Sequence, residues 1–200
     1  MHIVIYGPEG SGKGTQAKLL SGNLGIPVYT TGDLVREAAT NDKGSIGDLA
    51  RKVLREGDYL SDAEMCQLLE TKIKKSDTGG GFILDGFPRS LPQARFLMDL
   101  GAKLGFQLNA VIYLKLDNAA SLERLKKRKR KLYGTSSILH DDPERIKKRL
   151  KIYKTLEKKV LDFFKKKNLL LEIDGSRTRQ QVHKEIISSL GWDHIRSSLA

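Results

Sequence analysis

His2-Ile3-Val4-Ile5-Tyr6-Gly7-Pro8-Glu9-Gly10-Ser11-Gly12-Lys13-Gly14-Thr15-Gln16 passes from an apolar β-type run through a glycine-rich turn into a helical segment, whose Leu19, Leu20 and Leu24 share one face. Gly7, Gly12 and Lys13 keep the phosphate-loop spacing G-x-x-x-x-G-K, directly after a strand and before a helix. Glycines let backbone N–H groups turn inward, and the helix N-terminus adds positive potential. Lys13 then reaches terminal phosphates as a point charge. The spacing does not match G-x-G-x-x-G, which argues against a nicotinamide site.

Working outward, further β-rich runs fall at 27–30, 81–85, 110–116 and 169–173. Helical spacing fills the intervals: Leu68, Leu69 and Ile73 mark one face, and Ile146, Leu150, Tyr153, Leu156 and Val160 another. Strands alternating with helices predict an α/β fold, a doubly wound five-stranded parallel sheet with helices on both faces. Ligands of such sheets bind at the carboxyl ends of the strands. Residues 31–60, helical with four glycines, and the loop 131–141 interrupt the alternation and read as covers over a site.

Composition narrows the class. Two hundred residues, 39% apolar and 30% charged, suit one compact domain. No apolar run approaches the ~18 residues of a membrane span, so no membrane partner is expected. The N-terminus lacks a basic region before its apolar run and reads as a strand, not a signal peptide. A single cysteine, Cys66, argues against a disulfide framework and a cysteine-rich zinc cluster, and makes the cytoplasm the expected compartment. The net charge of +12 fits ligands with several phosphates and also fits nucleic acid. Much of it lies on the Lys-rich helix 146–167 and in Arg124–Lys131, where seven of eight residues are basic. Both read as solvated faces, and no aromatic interleaving supports single-strand stacking.

A second stretch carries the chemistry: Phe82-Ile83-Leu84-Asp85-Gly86-Phe87-Pro88-Arg89-Ser90-Leu91-Pro92-Gln93-Ala94. An apolar run ends in an acid. A glycine turn, a proline corner and an arginine follow, with a glutamine four residues beyond. That order puts an acid, Asp85, a phosphate-binding cation, Arg89, and an amide, Gln93, within one strand-to-helix crossing. Upstream, Thr30-Thr31-Gly32-Asp33-Leu34-Val35-Arg36 has two readings. Asp33 and Arg36 are either site residues or a helix cap and a surface charge.

The two glycine-bearing stretches together resemble the adenylate kinase family of nucleoside monophosphate kinases, in its short-lid, zinc-free form. The resemblance runs along nearly the whole chain and implies a P-loop kinase that converts MgATP and AMP into two ADP. It implies one domain, with core 1–29, 61–126 and 142–200, a monophosphate-binding insertion 30–60 and a short lid 127–141. Lys13, Arg89, Arg128 and Arg149 become the catalytic cations. ATP would contact Gly10, Ser11, Gly12, Lys13, Gly14, Thr15, Arg124, Arg128 and, in the turn Ile173-Asp174-Gly175-Ser176-Arg177, Arg177. AMP would contact Thr31, Arg36, the strip Asp58, Tyr59 and Leu60, then Gly86, Phe87, Pro88, Arg89, Gln93 and Arg149. Asp85 and Asp33 would face the Mg²⁺, and the protein would act as a monomer. Thr31 with Gln93 favours AMP, since pyrimidine-monophosphate relatives usually carry alanine and asparagine there.

Two departures stand out. Glu9 replaces the family's usual proline in the phosphate loop, and its side chain is expected to point outward, because backbone amides line the cradle. In Ser137-Ile138-Leu139-His140-Asp141-Asp142, Leu139 stands where the family pattern has arginine. Turnover should then be slower unless His140, Arg130 or Lys131 substitutes. Two alternatives remain: a kinase of CMP, UMP or dTMP, and a slow or inactive nucleotide-binding module with a basic RNA-binding surface.

Overall fold

The computed structural model describes residues 1–76, 79–128 and 142–191. Five strands, β1 (His2–Tyr6), β2 (Val28–Thr30), β3 (Phe82–Asp85), β4 (Ala110–Lys115) and β5 (Leu170–Asp174), form one sheet in the order β2-β3-β1-β4-β5. Every neighbouring pair is parallel. Each strand lies within one residue of its sequence-expected run. Around them lie α1 (Lys13–Leu24), α2 (Thr31–Asn41), α3 (Ser45–Glu56), α4 (Asp62–Lys75), α5 (Leu91–Leu104), α6 (Asn118–Arg128), α7 (Pro143–Lys165) and α8 (Arg179–Ser189).

Side chains alternate across a strand, and here both faces are buried. Ile3 and Ile5 of β1 join Leu20, Ile83, Ile112, Leu114 and Ile186 in one core. Val4 and Tyr6 join Leu69, Leu84, Leu97, Val111 and Phe164 in the other. Two-sided burial is the reason these strands read as continuous apolar runs. β1 lies between β3 and β4; strands β2 and β3 fall on one side of it and β4 and β5 on the other, so the strand order reverses at the carboxyl end of β1. The glycine loop begins at that crevice, the usual ligand position in such sheets.

Residues 31–60 contain α2 and α3 and no strand. They have a small core of their own, Ala38, Ala39 and Ala50, backed by Val35, Leu54 and Leu68. The expected cover at 131–141, with Leu139, His140 and Lys131, lies outside the described residues, as does Arg130. Among the described residues no helix is long and apolar enough to cross a membrane.

Candidate phosphate-transfer site

The loop after β1 is shaped by glycine conformations. Gly7, Gly10 and Gly12 have φ of 145°, 87° and 95°, a region that side chains disfavour. A Cβ on Gly7 would also sit 2.7 Å from the Leu114 carbonyl. Gly12 is the N-cap of α1 and provides no side-chain cap, so the first-turn amides keep their capacity to bind an anion. Ser11 Oγ is buried here without a hydrogen-bond partner. Lys13 Nζ donates to the carbonyls of Gly7 and Pro8, each at 2.8 Å. Burial pulls the Lys13 pKa below its ordinary value, and Asp85 and Glu9 oppose that pull.

Two other segments are tied to this loop. The Ser121 hydroxyl donates to the Glu9 carbonyl. Arg124 donates to the carbonyls of Gly175 at 2.9 Å, Ser176 at 3.1 Å and Gly10 at 3.4 Å. One guanidinium thus joins the phosphate loop to the turn after β5, two segments that were both expected to contact ATP.

Parallel register sets Asp85 beside Ile5 on one side and Thr30 on the other. Its Oδ2 lies 3.2 Å from the position a Cβ on Gly14 would take. Burial raises the Asp85 pKa, while Lys13 and Arg89 oppose the rise. Among the described residues no three His, Cys, Asp or Glu side chains form a metal cage. Hydrated Mg²⁺ needs less, one or two carboxylates with phosphate oxygens, and Asp85 beside the loop fits that requirement. Asp33 is farther committed: its carboxylate accepts from Thr30 Oγ1 at 2.6 Å and from Arg36 at 2.6 Å. Thr30, not Asp33, caps α2.

Beyond Asp85 the backbone turns at Gly86, where φ is 85° and a Cβ would meet Thr31 Oγ1 at 2.6 Å. The turn aims Arg89 back at its own segment. Its Nε donates to the Gly86 carbonyl at 2.8 Å and Nη2 to Thr31 Oγ1 at 3.0 Å. The guanidinium carbon lies 4.3 Å from the centre of the Tyr59 ring, a cation–π contact. Gln93 is buried. Its Oε1 accepts from the Arg89 amide and its Nε2 donates to Asp62 Oδ1, both at 2.7 Å. An amide group has two donors and two acceptor lone pairs, so one of each is left for a base.

Glu9 overturns its expectation. Its side chain turns toward the cations instead of outward: Oε2 lies 3.1 Å from both Nε and Nη2 of Arg149 and 3.8 Å from Nη2 of Arg128. Oε1 accepts from the Tyr59 hydroxyl at 2.8 Å. The Arg149 side chain is only 5% exposed, so this ion pair is largely dry. Burial pushes the Glu9 pKa up, but Arg149, Tyr59, Arg89 and Lys13 outweigh it and hold the group at about 2. The expectation rested on backbone amides lining the cradle; pairing with cations that reach the loop from α6 and α7 is what draws the side chain inward.

The other candidate residues divide clearly. Arg36 is half exposed and paired with Asp33. Asp58 is exposed, 3.5 Å from Lys148. Leu60 packs against the core, and Phe87 is buried within it, which leaves only the Phe87 backbone for the expected contact. Pro88 is buried, and Thr15 is exposed on α1. Arg177 is turned to Asp174 and Glu185 of α8, at 3.3 and 2.9 Å. Three participants were not anticipated. Asp62 accepts from both Ser90 and Gln93, the Tyr59 side chain contributes as well as its backbone, and Arg145 bonds the Glu56 carbonyl. Asp62 follows Ser61 at a capping box, and that signal hid its second use.

The Glu9 charge has a pH signature. A carboxyl at about 2 in the folded protein and 4.5 unfolded contributes stability above pH 4.5 and loses it as pH falls toward 2. The contribution is about 3 kcal/mol at 1.36 kcal/mol per unit. Urea unfolding of wild type and Glu9→Gln at pH 6, 4 and 3 should show wild type losing its advantage as pH falls. Parallel curves for the two proteins would contradict the assigned charge.

A family model described as adenylate kinase matches residues 5–169. An adenylate kinase of Xylella fastidiosa (strain 9a5c) is 38% identical over 191 residues, covering 96% of this chain and all of that protein. One of Xanthomonas campestris pv. campestris (strain B100) is 37% identical over the same extent.

Proposed function

This chain is a member of the adenylate kinase family, and on that premise we propose that it transfers the γ-phosphoryl group of ATP to AMP, yielding two ADP, as a cytoplasmic monomer. The supporting observation is the Glu9 carboxylate. Arg149 of α7 and Arg128 of α6 lie 3.1 and 3.8 Å from it, and Tyr59, which donates to it, stacks on Arg89 after β3, so three cations from three distant segments converge around one anion. A phosphoryl group in flight between two nucleotides needs such an arrangement.

An oxygen of the AMP phosphate forms the new bond to the γ-phosphorus. The bond from that phosphorus to the β–γ bridging oxygen breaks, and the bridging oxygen leaves with ADP. The attacking phosphate is already anionic, so no general base is required, and catalysis rests on alignment and charge stabilisation. Lys13 and the α1 amides would hold the donor phosphates, Arg89 and Arg36 the acceptor phosphate, and Arg149 and Arg128 the group in transit. Arg124 would support the donor base from below, through the carbonyls of Gly175 and Ser176. Thr31 and Gln93 would favour adenine as acceptor. Bound Mg²⁺, held near Asp85 and Asp33, would neutralise phosphate charge.

ADP formation from MgATP with AMP, CMP, UMP or dTMP tests the assignment. Turnover with AMP at least tenfold above any other acceptor is expected. Leu139→Arg, which restores the family pattern, should raise the AMP rate. No turnover with any acceptor from either protein would defeat the catalytic reading.

A further inference from the structure

A carboxylate inside a phosphate site needs an account. Glu9 belongs to the loop that cradles phosphate, yet its own charge opposes phosphate. It is 25% exposed and makes three contacts, with Arg149, Arg128 and Tyr59. Two of these partners are cations assigned above to the group in transit. The third, Tyr59, lies at the end of the 31–60 insertion and stacks on Arg89, the acceptor-side cation. Tyr59 and Glu9 thus engage Arg89 and Arg149 from inside the protein.

We propose that Glu9 is a positioning residue that stands in for substrate phosphate: its carboxylate holds Arg149, and through Tyr59 the edge of the acceptor cover, until nucleotide phosphate displaces it. This deepens the kinase reading and rests on it for the identity of the displacing anion. A site that gathers Lys13, Arg89, Arg128 and Arg149 has strong like-charge repulsion to offset. An internal anion offsets it and keeps the arginines near their working positions. The same anion competes with incoming phosphate, so affinity is given up for preorganisation. Arg149 meets Glu9 through its Nε and Nη2 atoms on a single oxygen, a weaker grip than the two-oxygen fork that phosphate offers. The exchange therefore favours the substrate. A cavity of about 230 Å³ adjoins the pair, lined by Glu56, Gly57, Asp58, Tyr59, Arg145, Lys148, Arg149 and Ile152. It leaves Tyr59 and Arg149 room to shift as Glu9 withdraws.

The test is calorimetric titration of wild type, Glu9→Gln and Glu9→Asp with inorganic tripolyphosphate at low and moderate salt, beside the ADP-formation assay. Glutamine keeps the shape and an acceptor for Arg149 and removes the competing charge. Tripolyphosphate should bind Glu9→Gln about tenfold more tightly than wild type, and Glu9→Asp should behave like wild type. KM for both nucleotides should fall in Glu9→Gln, and kcat should fall as well, because the arginines lose the anion that preorganises them. Equal or weaker tripolyphosphate binding by Glu9→Gln would overturn the proposal, as would no detectable binding by either protein. Tighter tripolyphosphate binding without AMP-dependent turnover would sustain the stand-in role and remove the kinase reading instead.

Discussion

Replacing Arg149 with methionine should lower kcat about 1,000-fold and, separately, remove about 3 kcal/mol of folding stability. The two losses have different origins. Arg149 is 5% exposed and lies beside the apolar stripe Ile146 and Leu150 on α7. A cation so placed is costly to keep unless an anion accompanies it, and Glu9 is that anion. Methionine removes the nearest cation and leaves the Glu9 carboxylate in a partly dry site with Tyr59 and the more distant Arg128, Arg89 and Lys13, and an under-compensated buried charge is what destabilises. Turnover falls because no other cation of α7 approaches the loop so closely. The double variant Arg149→Met/Glu9→Gln separates the two effects. Stability by urea unfolding should return to within about 1 kcal/mol of wild type, while kcat stays low. A double variant as unstable as Arg149→Met alone would show that the pair contributes packing rather than charge balance.

The second large effect belongs to Lys13. Lys13→Met should lower kcat by about 10³ while leaving the fold nearly as stable as before. Lys13 bonds only the carbonyls of Gly7 and Pro8 at 2.8 Å, and burial already disfavours its charge. Losing two net hydrogen bonds costs roughly 1–2 kcal/mol, and removing a poorly solvated ammonium offsets part of it. The thermal midpoint should shift by a few degrees at most. ATP titration should show weakened binding as well, since the proposed role has Lys13 facing the donor in both ground and transition states. A large drop in midpoint would identify Lys13 as a strut of the loop and not its phosphate contact.

Much of this arrangement was legible before any coordinates. Continuous apolar runs identified the five strands because both sheet faces are buried. The glycine spacing located the loop, and Asp85-Gly86-Phe87-Pro88-Arg89 located the acid and the arginine. Legibility failed where a side chain's partner is far away in sequence. Glu9 and Arg149 are separated by 140 residues, so loop chemistry alone pointed Glu9 toward water. Asp62 looked like the first residue of a capped helix, and nothing local announced that it receives Gln93 from α5. Tyr59 was expected to contribute backbone only. Its ring meets Arg89 because α2 and α3 return the chain to the carboxyl ends of β1 and β3, which no short window reveals.

The bonds of Thr31 and Gln93 bear on how such an enzyme can change over generations. Both residues are assigned to recognition of the acceptor base, and both also hold the scaffold: Thr31 receives Arg89, and Gln93 links Arg89 to Asp62. A single exchange toward the alanine or asparagine of pyrimidine-specific relatives would alter base preference and loosen Arg89 together. Such an intermediate is handicapped on the old acceptor before it gains the new one. A lineage crossing to pyrimidine acceptors would have to change position 62 or 90 in concert. On the proposed assignment, acceptor choice would be guarded against drift by epistasis among Thr31, Arg89, Gln93 and Asp62.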